Sequence, residues 1–477
     1  MKVKKLRLKN FRCFSELELD LNEKLIVLVA ENGQGKSTLL DAIRIALWPY
    51  VASFDLARST FNDPGNSITV NDVRMVRMPA NDMARQLPTE VIMSGDYGSG
   101  SEVTWGRYRD SEAKATKTKD SGYTSKLKAS ASGIQDKIRQ PGGSAVALPV
   151  FGYYGTGRLW SQKRLMEKAK GKDNTKDPDF YIRTFAYQNC LDPGSTYKHF
   201  KEWYIWASES LNEQLLRKLR GKHEPEELRQ AQDRVSVVQG AVDIFLKPIT
   251  GWHTLEYSIT KEKSLILYHE DQGFLEVEQL SDGIRSVLAM VGDIAYRCIK
   301  LNPHLGVQAA KKTKGVVMID EVDMHLHPRW QQVILGQLQE AFPHVQFIVT
   351  THSPQVLSTV AAKSIRVLAT EINKSSGEQH IQVHTPGRQT QGVASSNVLA
   401  EIMGTDPVPN IDIIRILSDY QSLIQQDLEV SPDALSLRST LEDHYGLTHP
   451  VLLECDRMIR LQALKRRKSS KRDTGEG

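Results

Sequence analysis

The chain has 477 residues, 40% of them hydrophobic and 25% charged, with a formal net charge of +5. That size and apolar content predict an ordinary soluble protein with a substantial core and two lobes or more. The charge is too small for this length to make nucleic-acid binding a property of the whole surface, so any such binding must come from local patches. Cys13, Cys190, Cys298 and Cys455 have no paired spacing, which speaks against a disulfide framework and a Cys₄ zinc site. The N-terminal "MKVKKLRLKNFRCF" lacks the apolar core of a signal peptide, and no later segment is long enough to span a bilayer. The expectation is a cytoplasmic protein without a membrane partner.

From the N-terminus, "KLRLKNFRCFSELELDLNEKLIVLVA" reads as short strands of period two. Leu25 to Val29 carry no charge, as a strand buried on both faces of a parallel sheet requires. Asn32, Gly33 and Gly35 permit the left-handed backbone that turns successive amides into one concavity, and Lys36, Ser37 and Thr38 open the next helix. The spacing is that of a phosphate-binding loop: the amides cradle the phosphates of ATP, Lys36 reaches the β- and γ-phosphates, and Ser37 holds Mg²⁺. Ala30 stands where that motif usually begins with glycine.

"EVIMSGDYGSGSEVTWGRYR" predicts a hairpin turned at its glycines, and residues 107–143, rich in Lys, Ser, Ala, Thr and Gly, predict a mobile basic surface loop. That loop is either a solvated linker or a transient DNA contact. "ALPVFGYYGTGRLW" restores a buried strand and completes an N-terminal ATPase lobe, residues 1–165. Residues 166–250 predict a short helical insertion. Its helical part is only about fifty residues, which at 1.5 Å per residue is far too short for an extended coiled-coil arm.

Residues 251–390 predict a second ATPase lobe. "HTLEYSI" and "SLILYHE" read as a hairpin, and "KGVVMIDEVDMHLHP" and "VQFIVTTHSP" as buried strands ending in polar residues, with a helix from about Arg329 to Phe342 between them. Active-site groups belong at such carboxyl ends. Asp320 is placed to bind Mg²⁺ through its water shell, and Glu321 to polarise the attacking water as a general base. "LSDGIRS" starts a helix with Ser281 near the cap and Gly283 in the first turn, leaving the amide end open to an anion. His352, just past a buried strand, is either structural or a hydrogen-bond donor to the γ-phosphate. Residues 391–465 read as helices broken at Pro407, Pro409, Pro432 and Pro450, an assembly or partner-docking region, and 466–477 as a disordered basic tail.

The order of phosphate loop, "LSDGIRS", "VVMIDE" and "TTHSP" resembles an ABC-type ATPase head: an α/β fold with a mixed β-sheet, here with a short helical insertion and a helical C-terminal region. The resemblance implies that two heads pair, so that Ser281 and Gly283 of one complete the ATP site at Lys36 of the other. It also makes His352 the switch histidine. Asp282 departs from the commoner glycine, and the usual glutamine-bearing loop is not evident near "YYGTGRLW". "IDEVDMHLHP" is similar to the run in overcoming-lysogeny-defect ATPases and their defence relatives, with Asp323 replacing a glutamate. In that resemblance His325 and His327 lie in a dimer-facing loop rather than forming a metal pair, and an arginine corresponding to Arg12 of "LKNFRCF" lies close to the nucleotide.

No toprim carboxylate set or His-Asn-His motif follows "TTHSP", so the chain is not itself expected to cut nucleic acid. "PVFGYYGTGRLW", "AYQNCLDPGSTYKHFKEWY" and "NVLAEIMGTDPVPNIDIIRILSDYQSLI" resemble the ATPase subunits, PtuA, of Septu anti-phage systems. That resemblance implies a homodimer or higher homo-oligomer acting with a separate HNH endonuclease subunit, PtuB, on DNA. The other readings are a compact DNA-maintenance clamp without a nuclease partner and a nucleotide switch with almost no turnover.

Overall fold

A computed structural model of the chain describes residues 1–473 apart from 22, 59–63, 80–81, 99, 143–144, 158–177, 194–195, 223, 262 and 373–378. The chain divides into two units, Met1–Val398 and Leu399 onward. In the first, β1 (Lys2–Phe11) and β2 (Phe14–Asp20) pair antiparallel, burying Leu6, Leu8, Leu17 and Leu19 on one face while the alternate residues meet water. All five residues of β3 (Leu25–Val29) are buried, and the chain then turns into α1 (Lys36–Val51). β4 (Met75–Arg77) and β5 (Met83–Arg85) make a small ribbon. β6 (Thr89–Asp96), β7 (Val103–Arg109) and β8 (Lys119–Gly122) complete an antiparallel sheet in the order β2-β1-β6-β7-β8.

Residues 107–143 therefore do not form the loop that composition predicts. They contain the end of β7, all of β8 and a helix, α2 (Thr124–Arg139). Leu127, Ala131 and Gln135, four residues apart, form its buried stripe, and the Gln135 side-chain oxygen accepts from the Asp55 amide at 2.8 Å. So narrow a stripe leaves the segment polar on average, which conceals the helix from a reading by composition.

β9 (Val150–Tyr154) is followed by α3 (Thr196–Leu219) and α4 (Pro225–Thr250); residues 166–177 of the expected insertion lie outside the described residues. This hairpin is packed rather than free-standing, since Trp203, Tyr204, Val238, Val242 and Phe245 are buried. β10 (His253–Ser258), β11 (Ser264–His269) and β12 (Gly273–Glu276) form a meander one strand larger than the predicted hairpin. α5 (Asp282–Leu301) is buried along most of its length, and its Tyr296 ring lies 4.9 Å from Trp203 of α3.

β13 (Gly315–Ile319), α6 (Ile334–Ala341), β14 (Val345–Thr350), β15 (Ile365–Ile372) and β16 (Gln379–His384) finish the unit. The helix predicted from Arg329 to Phe342 is split: Pro328–Gln331 makes one turn, and α6 begins after Val333, whose φ of −122° leaves the helical region. The second sheet has the order β16-β15-β3-β14-β13-β9, parallel throughout except at the edge strand β16. Its strands come from both predicted lobes, so the two stretches form one unit. Thr350 of β14 pairs with Leu28 of β3, and Ile319 of β13 with Val349. The loops that follow these three strands are thereby brought together.

Within α5, Arg297 Nε donates to Asp293 Oδ2 at 2.7 Å with both side chains essentially inaccessible, and the Tyr154 hydroxyl donates to the same oxygen at 2.8 Å. Arg297 also donates to the carbonyls of Ala186 and Gln188. Burial pushes the Asp293 carboxyl up from its ordinary pKa, against the opposing pull of Arg297.

The second unit packs α7 (Asp412–Gln425), α8 (Pro432–Tyr445) and α9 (Pro450–Asp473) around Tyr420, Ile424, Ala434, Leu441, Leu452 and Cys455. Ser431 accepts from the Ala434 amide at 3.2 Å and Pro432 opens α8, a matched start signal. The predicted disordered tail from 466 is corrected: α9 continues to Asp473, and Arg466 pairs with Asp427 and Glu429. Two neighbouring carboxylates offset the like charge of the basic run at that point.

Candidate active site

The loop after β3 is shaped by backbone chirality. Gly33 and Gly35 have φ of +82° and +91°, values that side chains disfavour. A Cβ on Gly33 would meet nothing within 4 Å, so there is room above the loop for a phosphate, whereas a Cβ on Gly35 would lie 2.6 Å from Phe14 Cζ and 2.8 Å from Cys13 Sγ. Gly35→Ala is thus expected to destabilise the first unit by about 1–2 kcal/mol from the left-handed backbone alone, and to weaken ATP binding. Chemical denaturation and an ATP titration check the two effects. Lys36 begins α1, and its ammonium donates to the carbonyls of Ala30 at 2.8 Å and Glu31 at 3.1 Å. Burial lowers its pKa, opposed by the charges of Asp320, Glu321 and Asp323. Ala30 stands in place of the customary glycine, and its carbonyl still accepts from this lysine.

Ser37 Oγ donates to Asp320 Oδ2 at 2.7 Å. Adjacent ligands of an octahedral Mg²⁺ stand about 2.9 Å apart, so this pair fits neighbouring positions of one ion or of its water shell. The other oxygen, Asp320 Oδ1, accepts from the Thr350 hydroxyl at 2.6 Å, and that hydroxyl accepts in turn from the Glu321 amide at 2.7 Å. The Val322 amide donates to the Thr350 carbonyl at 3.0 Å. Thr350 therefore holds the Asp320 carboxylate and the Glu321 backbone from the neighbouring strand, and Glu321 is held at φ +48°, an uncommon conformation of the kind found where a catalytic side chain must be aimed. Thr351 Oγ1 donates to Asp323 Oδ1 at 2.5 Å, tying the loop after the carboxylates to the strand that leads to His352. Thr38 follows Ser37 in the first turn of α1. Asn32 lies in the turn ahead of Gly33, exposed.

His352 is half-buried, next to Ser353, whose hydroxyl caps the following turn by accepting from the Val356 amide at 3.2 Å. The histidine pair divides its work: His327 Nδ1 accepts from the Arg329 amide at 3.2 Å and caps the turn at Pro328, while His325 adopts φ +61°.

Ser281 is the exposed N-cap residue of α5, with no side-chain bond to its own helix. Gly283 is buried against the same chain, since a Cβ there would lie 2.3 Å from the His325 carbonyl oxygen. Gly283→Ala is expected to force apart the start of α5 and the loop after Glu321, lowering ATP hydrolysis more than ATP binding. Paired turnover and binding measurements separate these effects.

Arg12, at φ +48°, donates through Nε to Asp72 Oδ1 at 2.8 Å and through Nη1 to Asp41 Oδ2 at 2.7 Å. Burial opposes its charge, but the two aspartates outweigh it and raise its pKa. Arg12 is thus anchored to α1, one turn beyond Ser37. Of "YYGTGRLW", the segment near which a glutamine-bearing loop would be expected, Tyr153 and Tyr154 end β9, and Arg158, Leu159 and Trp160 lie outside the described residues.

Reading the sequence does not find Thr350, Asp41 or Asp72. The one available signal was the threonine pair at the end of an apolar strand in "VQFIVTTHSP".

A parallel sheet with the phosphate loop, the acidic pair and His352 at adjacent strand ends, and with the start of α5 packed on the same loops, defines an ATPase head of the ABC type. Residues 5–237 match the family model described as an AAA domain, and residues 167–358 match a second AAA-domain model. The chain is similar to the "Retron Ec83 probable ATPase" of Escherichia coli, 26% identical over 95% of this chain and 86% of that one. It is also similar to the "Septu protein PtuA" of Bacillus mycoides, 39% identical over 20% of this chain and 13% of that one. The SMC head bound to the C-winged helix domain of ScpA superposes with a TM-score of 0.45 at 13% identity, over 81% of this chain and 98% of that one. So loose a superposition carries no weight; the class rests on strand order and site geometry. The chain is an ATPase similar over most of its length to a retron ATPase and over 20% of it to a Septu protein, and among the described residues no helix is long and apolar enough to cross a membrane.

Proposed function

We propose that this chain is the nucleotide-binding subunit of a cytoplasmic anti-phage defence complex and that it regulates a separate HNH endonuclease acting on DNA. The observation that carries this reading is the likeness to a retron ATPase over 95% of the chain, coupled to an intact nucleotide site. Gly33, Gly35 and Lys36 hold the phosphates of ATP, with Asn32, Thr38 and Arg12 supporting the loop. Ser37 and Asp320 would hold Mg²⁺, which when bound neutralises charge on the β- and γ-phosphate oxygens. Glu321 accepts the proton of the attacking water, and His352 donates to the γ-phosphate. Ser281 and Gly283 present the start of α5 to the nucleotide of a second copy, so ATP draws two heads into a homodimer or a larger assembly. DNA contact falls to a groove of 750 Å³ lined in part by Arg58, Lys114, Lys117 and Lys128, and the second unit docks the nuclease.

The test is phage plating with the ATPase gene and its neighbouring nuclease gene. Lys36→Ala is expected to weaken ATP binding about 10- to 100-fold, since a charge-assisted bond is worth roughly 1.5–3 kcal/mol, and to abolish protection. Undiminished protection would remove nucleotide gating. If the purified chain carries no nuclease and instead closes on DNA ends in an ATP-strengthened, salt-sensitive way, the maintenance clamp replaces this proposal.

A further inference from the structure

A cavity distinct from the ATP site lies where α3, α4 and the last turn of α5 meet residues 181–183, and it encloses 230 Å³. Lys300 on its wall follows Ser281 by nineteen residues of helix, about 28 Å at the α-helical rise. The cavity is therefore remote from the signature end of α5.

Its walls combine two chemistries. One is aromatic: Trp203 and Trp206 lie 6.4 Å apart, with the Tyr181 ring 5.6 Å from Trp206. Trp203 is 1% exposed, and its indole N–H has no hydrogen-bond partner among the described residues. The other chemistry is cationic. Arg234 stands 5.1 Å from the Trp206 ring centroid, and Lys300 Nζ donates to the Phe180 carbonyl at 2.6 Å. Arg183 gives one N–H to the Val146 carbonyl at 2.6 Å, while its Nε lacks a partner among the described residues. Asp233 is the one acid lining the cavity among the described residues, against these three cations. Burial, followed by the charge of Arg234, pushes the Lys300 pKa down to about 7, and burial lowers those of Arg183 and Arg234. These groups have been partly desolvated without enough counter-charge, and an anion would relieve them.

We propose that this cavity binds a nucleoside 5′-phosphate, either free or as the phosphorylated end of a nucleic-acid strand. The base lies against the exposed Tyr181 and the part-exposed Trp206, above the buried Trp203, and the phosphate faces Arg183, Arg234 and Lys300. Aromatic faces accept any base by stacking, and arginine reads phosphate through its planar fork. The volume falls below the roughly 300–1,000 Å³ of pockets that enclose drug-sized ligands, so the occupant is no larger than a single nucleotide, part of which stays outside the cavity. This site goes beyond the defence proposal and does not depend on it.

The test uses the full chain carrying Lys36→Ala, so that the ATP loop does not compete. AMP, UMP, adenosine, inorganic phosphate, and oligothymidylates with and without a 5′-phosphate are titrated by calorimetry. The expected result is saturable binding of a mononucleotide or of the 5′-phosphorylated strand, at least about tenfold tighter than adenosine or phosphate alone. Stronger binding of the mononucleotide identifies the free ligand as the source, and stronger binding of the phosphorylated strand identifies strand ends. Arg234→Gln and Lys300→Met should each weaken binding about tenfold or more, while ATP affinity in the chain with Lys36 intact stays unchanged. Arg234→Gln, at a partly exposed position, keeps the test decisive if Lys300→Met fails to fold. The proposal is overturned if no nucleotide or phosphorylated strand saturates below about 1 mM. It is equally overturned if phosphate alone binds as tightly, if the 5′-phosphate makes no difference, or if Arg234→Gln leaves binding intact.

Discussion

Glu321→Gln is expected to leave ATP bound and lower its hydrolysis by about 10²- to 10⁴-fold, the range over which a positioned general base contributes. Glutamine has nearly the same shape, so the Glu321 amide still donates to Thr350 Oγ1 and the backbone keeps its left-handed turn. What disappears is the carboxylate that would take the proton from water. Asp320 cannot substitute, because its oxygens accept from Ser37 and Thr350. Phosphate release measured beside equilibrium ATP binding checks the result. Loss of turnover with retained binding assigns Glu321 as the base, and unchanged turnover removes it from the mechanism. The same variant asks what the nucleotide signals. Phage protection that persists in Glu321→Gln but fails in Lys36→Ala would mean that binding alone is the signal.

Arg297→Met is expected to cost about 3–5 kcal/mol of stability, as breaking a buried ion pair from one side does. Asp293, fully buried, would keep among the described residues only the Tyr154 hydroxyl as a donor to its Oδ2, and the carbonyls of Ala186 and Gln188 would lose their shared cation. This network ties the middle of the signature helix to β9 and to the turn at residues 183–187. The loss should therefore appear as lower cooperativity of unfolding as well as a lower denaturation midpoint. Asp293→Asn combined with Arg297→Met removes the uncompensated charge and should recover much of the loss. If the double variant is no more stable than Arg297→Met, the cost comes from packing rather than charge.

Much of this site was legible locally. "ENGQGKST" encodes a left-handed turn followed by a helix start, and "VVMIDE" a buried strand ending in two acids, because backbone preference and burial pattern act over a few residues. The order of these motifs was enough to suggest the ATPase class. Where composition was asked to decide, it failed. Residues 107–143 and the tail after 466 look polar, yet Leu127, Ala131 and Gln135 seat one helix, and Asp427 and Glu429 hold the end of another. A three-residue stripe or a pair of distant carboxylates does not move an average.

The sequence by itself determined the phosphate loop, the paired carboxylates, the position of His352 and the helix start at Ser281. Each depends on neighbours within a turn or a strand. Only the tertiary structure decided that Ser37 meets Asp320 across 283 positions, that Thr350 holds the Asp320 carboxylate and the Glu321 amide, and that Gly283 is required by the His325 carbonyl. It alone decided that Arg12 is held by Asp41 and Asp72, and that Trp203, Arg234 and Lys300 share a cavity. The physical reason is strand order: β3 lies beside β14, and β14 beside β13, although β3 is far from both in the chain, and nothing local to any one of them specifies its neighbour.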